Sequence, residues 1–240
     1  MQPLRIYVCG AHSTGKTTLA RHLAKELGLP LINEVARQVI AEMELSFETL
    51  RVDLDRALDY QRQVFQRQLD VEERYPEGFV SDRSFDNIAY AARHCTTIGG
   101  ILDDRADEYF KLVRERSLVF YVRPQRECMT NDGVRETVAW DEINRIDGML
   151  DFIFTWQRIP CIGISELNMK DRVRTAMAAV RLYKQACMHM PTLTTSTGRT
   201  TYARSSKNGN GHSNGNGHSN GNGNGNGITH GIPTHGAAAL

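Results

Sequence analysis

The chain has no apolar run approaching the ~18 residues that a helix needs to cross a bilayer, and no basic, then apolar, leader precedes its first strand-like segment. Both absences predict a soluble protein of the cytoplasm, or of the host cytoplasm for a viral chain, with no membrane partner. Net charge is also nearly missing: 29 basic residues face 28 acidic ones, a formal +1, so overall charge argues neither for nor against a polyanionic partner. Cysteine is sparse and odd in number. Five stand at Cys9, Cys95, Cys128, Cys161 and Cys187, with no C-x-x-C pair and no zinc-like spacing, which suits a reducing compartment. Acidic residues stop at Asp171, and beyond Met190 the chain turns to Thr, Ser, Asn, Gly and His. Such a stretch buries too little apolar surface to offset its ordering entropy. The composition therefore predicts one folded domain over 1–190 and a disordered Asn/Gly/His/Ser-rich tail over 191–240. Less the tail cations Arg199, Arg204 and Lys207, the domain's formal charge falls from +1 to about −2.

What is present is concentrated near the start. Gly10-Ala11-His12-Ser13-Thr14-Gly15-Lys16-Thr17 matches the phosphate-binding pattern G-x-x-x-x-G-K-[ST] at every fixed position. It follows the apolar run Leu4 to Cys9 and opens an amphipathic stretch, Lys16 to Leu27, stopped by Gly28. The glycines permit a tight loop whose N–H groups converge on phosphate oxygens, and the helix N-terminus adds positive potential. Lys16 is placed to reach the β- and γ-phosphates, and Thr17 to offer its hydroxyl to Mg²⁺. Gly10 to Thr17 and the adjoining Thr18 are thus the expected ATP-binding residues, with ATP and Mg²⁺ the expected cofactors.

Short apolar runs recur between helical stretches, the pattern of a parallel sheet covered on both faces. Strands are expected at Arg5 to Cys9, Pro30 to Asn33, Gly78 to Ser81, Leu118 to Val122 and Cys161 to Ile164. Helices are expected from Lys16, from Glu34, over Glu48 to Arg74, from Phe85, and over Asp103 to Arg116, Trp140 to Trp156 and Asn168 to Met188. The fold class is α/β, a five-stranded parallel sheet with helices on both faces, whose reactive groups belong at the carboxyl ends of the strands.

Those ends carry a set suited to phosphoryl transfer, which needs positioning, a metal and charge neutralisation. Glu34 ends the second strand as the candidate base toward an acceptor hydroxyl, or as a glutamate stabilised by a helix N-terminus. Asp82-Arg83-Ser84 ends the third; Asp82 reads as an Mg²⁺-associated carboxylate, and also as an ordinary helix N-cap. Arg37 and Arg83 are expected to grip the acceptor's polar or anionic groups, since guanidinium pairs bidentately with phosphate, with ion pairs to Glu34 or Asp86 as the competing explanation. Arg123, Arg126 and Arg135 are candidates for a lid that closes on the phosphates. His12 is given no chemistry of its own.

Together the phosphate loop, Glu34-Val35-Ala36-Arg37, Ser81-Asp82-Arg83-Ser84 and Asn131-Asp132-Gly133-Val134-Arg135 resemble the small-molecule kinase branch of P-loop proteins. The resemblance covers about residues 4 to 185 and is nearest to thymidylate kinases, deoxynucleoside kinases and ribosylnicotinamide-kinase-like enzymes. It implies that Glu34 is the base and that Asp82-Arg83-Ser84 is the acidic-Arg-Ser triplet of deoxynucleoside kinases; in thymidylate kinases the Asp-Arg there meets acceptor and metal. The lid lacks the dense arginine repeat of thymidylate kinases. A further similarity, to phage enzymes that phosphorylate the 5-hydroxymethyl group of 5-hydroxymethyluracil in DNA, implies modified DNA as acceptor, and the basic C-terminal portion suits a polymer. Free metabolite acceptors, namely thymidylate, a deoxynucleoside or nicotinamide riboside, are the alternative. A non-kinase ATPase switch is the reading from another class; the chain has no Asn-Lys-x-Asp guanine motif, and its third strand ends in Asp-Arg rather than in paired acids.

Overall fold

The apolar runs at Leu4–Cys9, Gly78–Asp82 and Ser117–Val122 are buried along nearly their whole length, as strands covered on both faces must be. A computed structural model describes residues 3–84, 104–128 and 139–189. The expected tail, the helix expected from Phe85 and the Asn131-to-Arg135 loop lie outside these residues. In chain order the elements are β1 (Leu4–Cys9), α1 (Lys16–Leu27), β2 (Leu31–Ile32), α2 (Val35–Glu42), α3 (Phe47–Val52), α4 (Leu54–Glu72), β3 (Gly78–Asp82), α5 (Asp104–Arg116), β4 (Ser117–Val122), a 3-10 turn (Arg126–Cys128), α6 (Trp140–Trp156), β5 (Cys161–Ile164) and α7 (Met169–His189).

The strands form one parallel sheet in the order β2-β3-β1-β4-β5. Register places Val8 beside Asp82 and Phe120, and Cys9 beside Tyr121. The carboxyl ends of the three central strands therefore finish level, and the chain leaves each of them into a candidate site segment.

Alternation along the strands divides the core in two. Ile6, Val8, Val80, Leu118, Phe120 and Val122 pack with Leu19, Leu23, Ala176 and Val180, a mostly aliphatic layer beneath α1 and α7. The opposite face is aromatic and polar. Tyr7 meets Phe79 edge-on at 5.5 Å, Tyr109 of α5 meets Phe65 of α4 at 5.5 Å, and Tyr121 meets Phe154 of α6 at 4.8 Å.

Helix α1 buries Leu19, Ala20, Leu23 and Ala24, one stripe at helical spacing. It ends at Gly28, whose φ of 64° suits glycine and whose N–H returns to the carbonyls of Ala24 and Lys25. The single helix expected over Glu48 to Arg74 is two. Asp53 takes an extended conformation and its carboxylate accepts from the Arg56 N–H at 3.0 Å, so it ends α3 and caps α4. Asp82 is the last residue of β3, one beyond the expected strand.

Candidate phosphoryl-transfer site

The loop between β1 and α1 has backbone demands that two glycines meet. Gly10 sits at φ 149°, and a Cβ there would lie 2.4 Å from the Val122 carbonyl oxygen. Gly15 sits at φ 86° at the N-cap of α1. Thr14 closes the turn by donating its hydroxyl to the Ala11 carbonyl at 3.1 Å. Lys16 is 5% exposed, and its ammonium donates to the Ala11 carbonyl and to Thr14 Oγ1 at 3.3 Å. Its positive charge is thus held inside the loop's curve, where phosphate oxygens would be received.

Arg172 of α7 braces this loop from below. Its guanidinium is 3% exposed and donates through Nη1 to the Thr14 carbonyl and through Nε to the Glu166 carbonyl at 2.6 Å. The same Nη1 would lie 3.0 Å from a Cβ at Gly15. In the sequence Arg172 stands among Lys170, Arg174, Arg181 and Lys184, a set of cations that reads as a solvated helix face. One signal was available: Arg172 falls beside Met169, Val173 and Ala176 on the apolar stripe of its helix, and a cation in such a stripe needs a buried partner.

Beyond β3 the backbone turns sharply. Asp82 is 3% exposed and its Oδ1 is buried with no hydrogen-bond partner. A carboxylate oxygen left in that state fits a cation or its bound water, and the carboxylate lies on the strand next to the one that delivers the phosphate loop. Among the described residues no group of three or more His, Cys, Asp or Glu side chains could hold a metal. Mg²⁺ takes one or two protein carboxylates and fills its remaining positions with phosphate and water. Thr17 and Asp82 are the residues that would hold it.

Arg83 adopts φ 74°, a left-handed conformation unusual for a residue with a side chain. Its Nε pairs with Glu34 Oε1 at 2.9 Å, while Arg37 Nε pairs with Glu34 Oε2 at 2.7 Å. The two partners differ: the Arg83 side chain is 8% exposed and that of Arg37 is 66% exposed. Burial pushes the Glu34 carboxyl up, but the Arg83 charge, the hydrogen bond and charge of Arg37 and the charge of Lys16 outweigh it and hold Glu34 below the ordinary range. Glu34 is therefore ionised, with one fixed partner and one that solvent can reach.

The remaining candidates divide. Arg123 is held against α6, pairing with Asp147 Oδ2 at 2.7 Å and Asp151 Oδ1 at 3.5 Å, over the Tyr121 ring at 4.7 Å. Tyr121 donates its hydroxyl to Asp147 Oδ1 at 2.6 Å, locking that end of β4 to the helix. Arg126 lies over the Trp140 ring at 6.0 Å. Arg135 lies outside the described residues.

A parallel sheet of this order with a phosphate loop after its first strand defines a P-loop nucleotide-binding domain of kinase-like fold. The chain belongs to the AAA-domain family, whose model it matches over residues 5–172. Among solved structures it is similar to deoxyadenosine kinase from M. mycoides bound to dCMP and dCDP, at 13% identity and a TM-score of 0.54, covering 75% of this chain and 99% of that one. It is also similar to the NadR protein in complex with NR, at 18% identity and a TM-score of 0.55, covering 84% of this chain but 54% of that one. A stretch of 44 residues is 50% identical to a tRNA dimethylallyltransferase of Synechococcus sp. (strain CC9902), 18% of this chain and 15% of that enzyme's length.

Proposed function

We propose that this protein is an ATP-dependent kinase that transfers the γ-phosphate to a hydroxyl of a nucleoside- or nucleotide-type acceptor. The observation that carries the reading is the ionised Glu34, which faces Arg83 at the end of β3 and feels the charge of Lys16. ATP would bring the phosphoryl group, and Mg²⁺, which Thr17 and Asp82 would hold, would neutralise its charge. Lys16 reaches the β- and γ-oxygens once phosphate replaces the Ala11 carbonyl as its partner. The acceptor hydroxyl displaces Arg37 from Glu34, and Glu34 takes its proton as oxygen bonds to the γ-phosphorus and ADP leaves. Arg83 keeps Glu34 in place, and Arg37, Arg126 and Arg135 are the candidates to meet anionic groups on either substrate.

A nucleoside-type acceptor agrees with the likeness in fold to deoxyadenosine kinase and to NadR bound to NR. A second reading, the 5-hydroxymethyl group of 5-hydroxymethyluracil in phage DNA, draws on α7. Lys170, Arg174, Arg181 and Lys184 are all exposed and fall within an arc of about 80° on a helix of 3.6 residues per turn, a cationic stripe suited to a phosphate backbone. The test is transfer of labelled γ-phosphate to thymidine, thymidine monophosphate, nicotinamide riboside, plain DNA and hydroxymethylated DNA. Label on a free nucleoside or nucleotide supports a metabolite kinase, and label on the modified DNA alone supports the second reading. ATP hydrolysis with no labelled acceptor would favour a non-kinase switch.

A further inference from the structure

Behind the turn at Asp82-Arg83-Ser84, on the aromatic face of the sheet, lies a buried polar cluster that the proposed reaction leaves unused. Glu72, at the end of α4, is 2% exposed. Its Oε2 accepts from the Tyr7 hydroxyl at 2.6 Å, and its Oε1 accepts from Gln68 Nε2 at 2.8 Å and from the Tyr109 hydroxyl at 3.0 Å. Two of these donors reach on to the turn. Tyr109 also meets Ser84 Oγ at 2.5 Å, and because its proton points at Glu72, Ser84 is the donor there. Gln68 also donates to Ser81 Oγ at 3.1 Å, and Ser81 donates to the Arg83 carbonyl at 2.6 Å. Tyr7 approaches the same carboxylate from β1.

The two chains of hydrogen bonds grip both sides of the left-handed residue. Arg83 donates its N–H to the Val8 carbonyl at 3.1 Å, and its own carbonyl is held by Ser81. A non-glycine residue keeps such a conformation where its surroundings over-determine it. Here the surroundings are β1, through the Val8 carbonyl, and α4 and α5, which reach the turn through Ser81 and Ser84.

We infer that Glu72, Gln68 and Tyr109 are positioning residues that brace the Asp82-Arg83-Ser84 turn from behind, fixing Asp82 for a divalent cation and Arg83 for Glu34. The inference rests on the proposed kinase reading for its purpose, but its test does not require an acceptor. Partners of this kind, one shell behind a ligand, typically set metal affinity by about 10- to 100-fold.

Tyr109→Phe and Tyr7→Phe form a matched pair. Each removes one buried hydroxyl from the same carboxylate, so each costs stability; Tyr109 in addition holds Ser84. Titration calorimetry of ATP with and without Mg²⁺ on the full chain reads the cation's contribution to binding with no turnover. Tyr109→Phe is expected to weaken the Mg²⁺-dependent part of ATP affinity about tenfold, and Tyr7→Phe to leave it within about twofold. Ser84→Ala reaches the same contact from the other side and decides the matter if Tyr109→Phe does not fold; it is expected to give the same tenfold loss. Equal effects of the two tyrosine variants, or an unchanged Mg²⁺ dependence in both Tyr109→Phe and Ser84→Ala, would overturn the brace. Failure of wild-type protein to label any acceptor would instead count against the kinase reading and leave this comparison intact.

Discussion

The two faces of the sheet solve different problems. Beneath α1 and α7 the core is mostly aliphatic, and the buried Arg172 is spent on the backbone of the phosphate loop. On the other face Tyr7, Gln68, Glu72, Ser81, Ser84 and Tyr109 are buried in one hydrogen-bonded cluster, and Tyr121 and Asp147 form a separate buried pair. A dry layer supports a loop whose shape comes from its own glycines. A polar layer supports a turn whose shape comes from distant side chains, because buried polar groups are costly unless paired and so impose a geometry on their partners. The difference teaches that the phosphate loop takes its turn from its own glycines with one distant arginine as a brace, whereas the side that presents Asp82, Arg83 and Glu34 depends on several contacts across the fold.

The largest expected effect lies at the loop itself. Lys16→Ala should lower phosphoryl transfer at least ~10³-fold by removing a preorganised charge from the phosphates, with little change in melting temperature, as activity and thermal scans together would show. Unaltered turnover would break the assignment of the loop. Next comes its support. Arg172→Ala leaves the Thr14 and Glu166 carbonyls without their donor and opens a cavity, so unfolding in denaturant should show a loss of about 2–4 kcal/mol. A neutral result would mean that the dry face does not hold the loop.

The polar face makes a prediction in pH. Burial raises the Glu72 carboxyl to about 7, against the hydrogen bonds from Tyr7, Gln68 and Tyr109 and the charge of Arg5. Between the unfolded value near 4.5 and about 7, the folded state holds a proton that the unfolded state has released. Stability from this group is therefore present below the unfolded value and lost as pH rises through about 7, some 3 kcal/mol in all as an order of magnitude. Glu34, held low, contributes with the opposite sign and is lost in acid. Thermal unfolding of wild type and Glu72→Gln from pH 5 to 8 should converge on a smaller fall with pH in the variant; parallel curves would show that Glu72 does not titrate there. The smallest effect is expected at Gly28→Ala, where a Cβ meets nothing within 4 Å but φ 64° is strained for alanine, costing about 1 kcal/mol.

This contrast also explains what could be read from the sequence. The phosphate loop, α1 with its Gly28 stop, and the strands at Cys161–Ile164 and Ser117–Val122 follow from local spacing, and the structure places them at or within a residue of expectation. The break at Asp53 was hidden because the apolar stripe continues from α3 into α4, while the capping carboxylate reads as one more charge on a helix. Arg172 and Glu72 were missed for a common reason. The partners that tie them across the fold, Thr14 for Arg172 and Tyr7 and Tyr109 for Glu72, lie 158, 65 and 37 positions away in the chain, beyond any local pattern. Their visible trace was a charged side chain in an apolar stripe, as Glu72 is beside Val64, Phe65 and Leu69. The pairing of Glu34 with both Arg37 and Arg83 was partly legible, since Arg37 follows at helical spacing, whereas Arg83 arrives from another strand.

The central claim is that Glu34 deprotonates an acceptor beside a bound triphosphate. Wild type and Glu34→Gln should be compared for labelled γ-phosphate transfer to the nucleoside, nucleotide and DNA acceptors, with ATP affinity measured on the same samples. The account predicts label on a hydroxyl acceptor with wild type, and in the variant a loss of about 10²-fold or more in transfer with ATP still bound. Equal release of phosphate to water by both proteins, with no acceptor labelled, would contradict it.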